Sequence, residues 1–152
     1  MIGEGVNVWS EVVSVRTGRR LELVDLTERI EASVRSSAIS AGLVSVQTLH
    51  TTTGILVNEN EPLLLQDLED LFERWVPHGV SFRHDDLLKR AAGLPPDEPR
   101  NGHAHARASL LRVSETLQLV NGRIKLGRWQ RIFLVELDGA RDRSVSVLVM
   151  GV

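Results

Sequence analysis

The last third of the chain limits the possible folds most. Residues 115–120, 123–126, 131–137 and 143–150 are four short apolar segments rich in β-branched residues, separated by turn residues. Asn121-Gly122 is the strongest hairpin signal in the chain, because a two-residue type I′ turn needs positive φ at both central positions. Asp138-Gly139 marks a second turn, and Gly127 a bulge or close approach. Strands this short and closely spaced return on one another, so this third is expected to form an antiparallel meander.

Upstream, Val6, Val8, Val13 and Val15 predict a strand over 7–16, with a bulge near Glu11-Val12. Thr17-Gly18-Arg19 is a turn, and 20–26 is expected to pair back as the second strand of a hairpin. Thr27 is placed to N-cap a helix carrying Ile30, Val34, Ala38 and Ala41, stopped by Gly42. Strands follow at 43–49 and 54–58. Pro62 opens a helix whose stripe of Leu64, Leu65, Leu68, Leu71, Phe72 and Trp75 is expected to face the core, and Pro77 and Gly79 close it. Residues 80–101 are irregular and proline-rich, with a short helix expected over 86–92. A loop of this length in a compact domain is more often functional than idle. Asn101 is placed to cap a helix over 102–111, in which His103 and His105 would point to different faces, about 200° apart. Hairpin, helix, strands, helix and then a run of strands indicate an α+β fold: a largely antiparallel sheet packed with two main helices and short extra helices, in a single compact domain.

Composition removes several chemistries. The 152 residues include no cysteine, so disulfides, thiolate metal sites and cysteine nucleophiles are excluded. The net charge of −2 is spread along the chain and gives no basic stripe for nucleic acid. No apolar run is long enough to span a bilayer, and the N-terminus carries no signal-peptide pattern, so a cytoplasmic protein is expected. There is no phosphate-cradling glycine loop, no dinucleotide fingerprint and no Gly-x-Ser-x-Gly elbow.

What remains is a polar stretch, HTTTGILVNENE over 50–61. Its imidazole, hydroxyls, amides and carboxylates at strand ends exceed what a sheet with one polar face requires. The other histidines are His78, His84, His103 and His105, each beside or near Asp, Asn or Glu or at an element end. Neutral imidazoles are common metal ligands, although the spacing matches no compact zinc motif such as HExxH. Glu59 is the acid/base candidate of the first stretch. Trp129 reads as a core or interface residue.

With HTTTGILVNENE, Arg83-His84-Asp85-Asp86, NGHAHARASLL and NGRIKLGRWQRIFLVELDGARDR on the page, the chain resembles the YjbQ family along nearly its whole length, as one YjbQ-like domain over 1–152. The resemblance implies a compact α+β homotrimer with thiamine-phosphate synthase-like activity, a transferase joining a pyrimidine pyrophosphate to a thiazole phosphate. The alternative is a trimeric metal- or anion-binding protein for a small phosphorylated metabolite, with no or incidental catalysis. A metal-dependent hydrolase is a third reading. Carried over position by position, the family's polar positions fall on His50, Thr51, Thr52, Asn58, Glu59, His84, Asp85, Asn101, His105, Gly127, Trp129, Gln130 and Glu136. Glu59, His50 and His105 are then the catalytic candidates. Thr51, Thr52, Asn58, Asn101, Arg128 and Gln130 are the candidate substrate contacts, with Arg128 or Arg143 meeting phosphate. His50, His84 and His105 are expected to converge on a divalent metal, zinc or magnesium, or on an anion. His103 stands where relatives often carry Asp, and Arg128 where threonine is usual.

Overall fold

The computed structural model describes residues 5–90, 94–95 and 97–152. Its strands are β1 (Asn7–Arg16), β2 (Glu22–Asp25), β3 (Gly42–Thr48), β4 (Thr53–Glu59), β5 (Ser114–Val120), β6 (Arg123–Ile124), β7 (Gln130–Glu136) and β8 (Asp142–Gly151). Its α-helices are α1 (Thr27–Ser37), α2 (Pro62–Trp75) and α3 (Gly102–Ala108), with a 3-10 turn at Arg83–Asp85. Every strand pairing is antiparallel, which bears out the α+β fold.

The strands form two sheets, in the orders β1-β8-β3-β5-β6 and β2-β7-β4. That division corrects two expectations. β2 does not return on β1; it pairs with β7, and β1 pairs with β8 without a bulge from Asn7↔Gly151 to Arg16↔Asp142. The C-terminal third is not a meander, because only β5 and β6 form a local hairpin and β7 belongs to the other sheet. That hairpin turns at Asn121 and Gly122 with φ of 52° and 71°, as the type I′ signal demands.

β7 explains why the chain splits this way. Ile132, Phe133, Leu134 and Val135 are all fully buried. A strand covered on both faces reads as a continuous apolar run, where a one-sided strand alternates. Ile132 and Leu134 join a core with Ile30 and Val34 of α1 and the inward valines of the large sheet, Val44, Val46, Val145, Val147 and Val149. Phe133 and Val135 enter a second cluster with Phe72 of α2 and Ala104 of α3. The small sheet is thus the middle layer between the large sheet and the helices α2 and α3.

Helix ends follow local chemistry. The Asp25 carboxylate accepts the N–H and hydroxyl of Thr27 at 2.9 and 2.6 Å, so Asp25, not Thr27, satisfies the start of α1. That helix stops at Ser37, ahead of Gly42, with Ala38 left-handed at φ 57°. Glu61 caps α2 by accepting from Leu63 and Leu64. On α2 only Phe72 is buried; Trp75 is 60% exposed, so the expected stripe is narrower than its sequence implied. Residues 87–90 form turns rather than the start of a helix, and the remainder of the helix expected over 86–92 falls on residues outside the described ones. No helix among the described residues is long and apolar enough to cross a membrane.

Candidate functional site

The two sheets are joined at one end by three crossings of the chain, residues 17–21 from β1 to β2, 49–52 from β3 to β4 and 137–141 from β7 to β8. The register Thr53↔Glu136 sets the last two side by side. The N-terminal end of α3 closes onto them, because the Asn101 amide donates to Asp138 at 2.8 Å. Asp85 accepts the N–H of Gly102 at 2.8 Å and so brings the 3-10 turn, with His84, against the same helix. These segments enclose a cleft of about 460 Å³ lined by His50, Thr51, Thr52, His84, Arg90, Glu98, Asn101, His105, Arg141 and Arg143, with Leu49 and Pro99.

Part of the lining consists of donors. Arg143 is only 4% exposed and forks onto the fully buried Glu136, Nε to Oε2 and Nη2 to Oε1, both at 2.6 Å. Its Nη2 also donates to the Thr52 hydroxyl at 3.1 Å. Arg141 pairs with Asp138 at 2.8 Å and Arg90 with Glu98 at 2.7 Å. The backbone N–H of Ser144 donates to Nε2 of His50 at 2.7 Å. That bond fixes the neutral tautomer: Nε2 accepts, so Nδ1 carries the proton and is the nitrogen left for a ligand. Burial, and then the charges of Arg143 and Arg141 against the opposing charge of Glu136, push the His50 pKa below its ordinary 6.5.

A pair of imidazoles also lines the cleft. His84 and His105 meet edge to face with ring centroids 4.6 Å apart. Burial, and then the neighbouring His84, lower the His105 pKa, with Asp138 opposing, so His105 is neutral near pH 7. Nε2 of His84 is buried and makes no hydrogen bond among the described residues. His103, two residues from His105, lies on another face of α3 and packs edge to face on His78 at 4.6 Å, away from this cleft.

The structure therefore brings His50, Thr51, Thr52, His84, Asn101 and His105 together. Asn58, Glu59, Arg128 and Gln130 lie elsewhere. β4 begins beside the cleft at Thr53 and runs to Glu59, six residues and about 20 Å away at ~3.3 Å per residue. Glu59 pairs there with Gln130. Arg128 and Gln130 line a different cleft of about 510 Å³ with Glu28, Glu31, Arg35 and Arg131. Arg128 sits over the ring of Trp129 at 4.6 Å, and Trp129 is 59% exposed, which corrects the core alternative for it. Spacing along the sequence hid this because a strand delivers its two ends to opposite sides of the sheet.

The expected metal set meets a geometric obstacle. Among the described residues no three His, Asp or Glu side chains are grouped as ligands of one ion, and Nε2 of His50 already holds the Ser144 N–H. Within one chain these residues do not fit a three-histidine metal centre.

Arg90, Glu98 and Arg141 were not singled out in the sequence. The signal that could have marked the arginine wall is phase. Arg143 falls on the same face as Val145, Val147 and Val149, and a charge there needs a buried partner.

Comparison with known proteins bears on the whole chain. Residues 11–152 match the family model described as UPF0047 protein YjbQ-like. A UPF0047 protein of Methanothermobacter thermautotrophicus is 38% identical over 98% of this chain and 96% of its own length. YugU of Bacillus subtilis is 31% identical over 93% and 98%. The crystal structure of a YbjQ-like protein of unknown function from Sulfolobus solfataricus superposes with a TM-score of 0.87, at 31% identity, over 97% of this chain and all of that one. These findings overturn the expected thiamine-phosphate synthase activity: the relatives are named only as UPF0047 proteins, and the solved one carries no assigned function. They give no support to the trimeric binding-protein alternative either.

Proposed function

The chain belongs to the UPF0047 YjbQ-like family, and we propose that its histidine–arginine cleft carries out acid–base chemistry on a small substrate bearing an oxyanion. The observation that carries this reading is the division of the cleft's lining into two kinds of group. Arginines and the Nδ1–H of His50 are donors, and His105 is a neutral imidazole able to accept a proton.

The chemistry follows from that division. Arg143 and Arg141 hold the substrate's negative charge through charge-assisted hydrogen bonds, which are roughly twice as strong as neutral ones. His105, unprotonated near neutrality, accepts a proton from a substrate hydroxyl or from water held against it. Its charge as an imidazolium is then opposed by burial and His84 and favoured by Asp138, and the proton returns to the substrate oxygen that departs. The exposed Thr51 and the buried Asn101 amide oxygen, which has no partner among the described residues, supply neutral contacts.

The test is a histidine-resolved NMR titration with inorganic phosphate. Signals of His50, His84 and His105 are expected to move together and saturate, while those of His103 stay. No movement of the three up to on the order of 10 mM phosphate, where even a contact of a few kcal/mol would register, overturns the reading.

We propose, separately, that the chain self-associates, and the homotrimer implied by the resemblance is the stoichiometry to test. What supports association is the outer face of the large sheet. Val8, Val12, Leu43, Val120 and Met150 are exposed there among Ser10, Ser146, Gln47 and Thr116, and among the strand residues charge appears only at the margins, in the Arg16–Asp142 pair and at Arg123 beside Val120. A face with exposed apolar residues and no charge at its centre has the composition of an interaction surface. Light scattering of wild type and Val12→Asp is expected to give three chain masses and one. A wild type of one chain mass overturns it.

A further inference from the structure

The acid–base chemistry above makes no use of Glu136, although no charged side chain of the cleft region lies deeper. It has no exposed surface, and Arg143 stands between it and the cleft. Its carboxylate is saturated. Oε2 accepts the Thr17 hydroxyl at 3.0 Å and Nε of Arg143 at 2.6 Å. Oε1 accepts Nη2 of Arg143 at 2.6 Å, the N–H groups of Leu137 and Asp138 at 3.0 Å each, and that of Gly139 at 3.3 Å. A carboxylate held by the end of β1, by its own turn and by β8 cannot swing away.

We infer that Glu136 is the positioning residue that aims Arg143, so that the cleft accepts an oxyanion through one fixed guanidinium nitrogen, Nη1. The inference rests on the reading of the cleft as an oxyanion site. Glu136 and Thr52 take Nε and Nη2, and Nη1 makes no bond among the described residues. A free arginine samples many rotamers that a ligand must freeze, whereas this one is frozen beforehand, so affinity is not spent on ordering it. A purely structural origin explains the geometry less well. Buried ion pairs are often no more stable than apolar residues of the same size, and the other buried positions on this face of β8 are valines. Arg141, half-exposed on the Asp138 carboxylate, is the adjustable second arm.

The test uses inorganic phosphate and acetate as probes, followed by calorimetry. Wild type is expected to bind at least one of them, and which one separates a phosphoryl from a carboxylate ligand. Glu136→Gln keeps the shape, removes the charge, and is expected to weaken binding about tenfold. The Arg143 Nε–H signal should shift upfield in the same variant. Val149→Ala, a core truncation remote from the cleft, is the control: it lowers the melting temperature and should leave affinity unchanged. Where Glu136→Gln does not fold, Glu136→Asp, which withdraws the carboxylate by one methylene, is expected to give the same loss. Wild-type affinity in whichever of these variants folds overturns the positioning role and leaves the functional reading standing. A wild type that binds neither probe overturns both.

Discussion

The Ser144 N–H points at Nε2 of His50 across 2.7 Å, from the second residue after Asp142 at the start of β8 to the crossing between β3 and β4. Because a backbone N–H only donates, this contact decides where the imidazole proton resides. The expected outcome in long-range ¹H–¹⁵N spectra at pH 7 is a neutral His50 protonated on Nδ1. An Nε2–H tautomer, or an imidazolium, contradicts it. His50→Ala should also expose the Ser144 amide to hydrogen exchange, since it loses this acceptor.

His105 and His103 differ by two residues in sequence and by a helix face in space. His105 is half-buried and lines the cleft, whereas His103 is 3% exposed. Diethyl pyrocarbonate, which reacts with accessible neutral imidazoles, should therefore modify His105, and inorganic phosphate should slow that reaction. The exposed His78 should react at the same rate with or without phosphate, and His103 should not react. Peptide mass spectrometry reads all of these. Equal protection of His78 and His105 would show that phosphate acts elsewhere than in the cleft.

Gly54, on β4, faces the segment between α3 and β5. A Cβ at this position would lie 2.6 Å from Cβ and 2.7 Å from Cδ1 of Leu111. The backbone of Ile55 is tied to Arg112 at 2.8 Å, so the two segments cannot simply part. Gly54→Ala should cost about 1–3 kcal/mol, the usual effect of overpacking, seen as a lower denaturation midpoint at unchanged slope. A variant as stable as wild type would mean that Leu111 has room to turn away.

Much of this architecture was legible because period and turn chemistry are local. The Asn121-Gly122 hairpin, the α2 helix from Pro62 and the divergent faces of His103 and His105 all depend on residues a few positions apart. Sheet membership was not legible. The pairing of β1 with β8 joins the two ends of the chain, and nothing in Val8 or Val149 names its partner. The same limit separated Glu59 from His50, since only knowing where β4 starts shows that they lie at opposite ends of it. The arginine wall left one trace. Glu136 ends the apolar run of β7, and Arg143 opens the apolar phase of β8. Two opposite charges, each on a face meant for the core, are most cheaply placed together.

The buried histidines also set how the fold responds to acid. Burial is the largest cause depressing the pKa values of His50, His103 and His105 below the ordinary 6.5. For His103 the charges of His78 and Arg107 add to it, and Asp138 opposes. Below about pH 6.5 the unfolded chain takes up protons that these three sites refuse when folded, so stability falls as pH falls, and it is complete above that pH. The slope reaches at most about 1.4 kcal/mol per pH unit for each such histidine. His103→Asn removes one of them, so its stability should decline less steeply than that of wild type between pH 6.5 and the folded-state pKa values, whatever its stability at pH 8. Urea denaturation at a series of pH values measures this. Parallel curves for the two proteins would mean that His103 is protonated as easily in the fold as outside it, and that the Asp138 charge balances burial at this position.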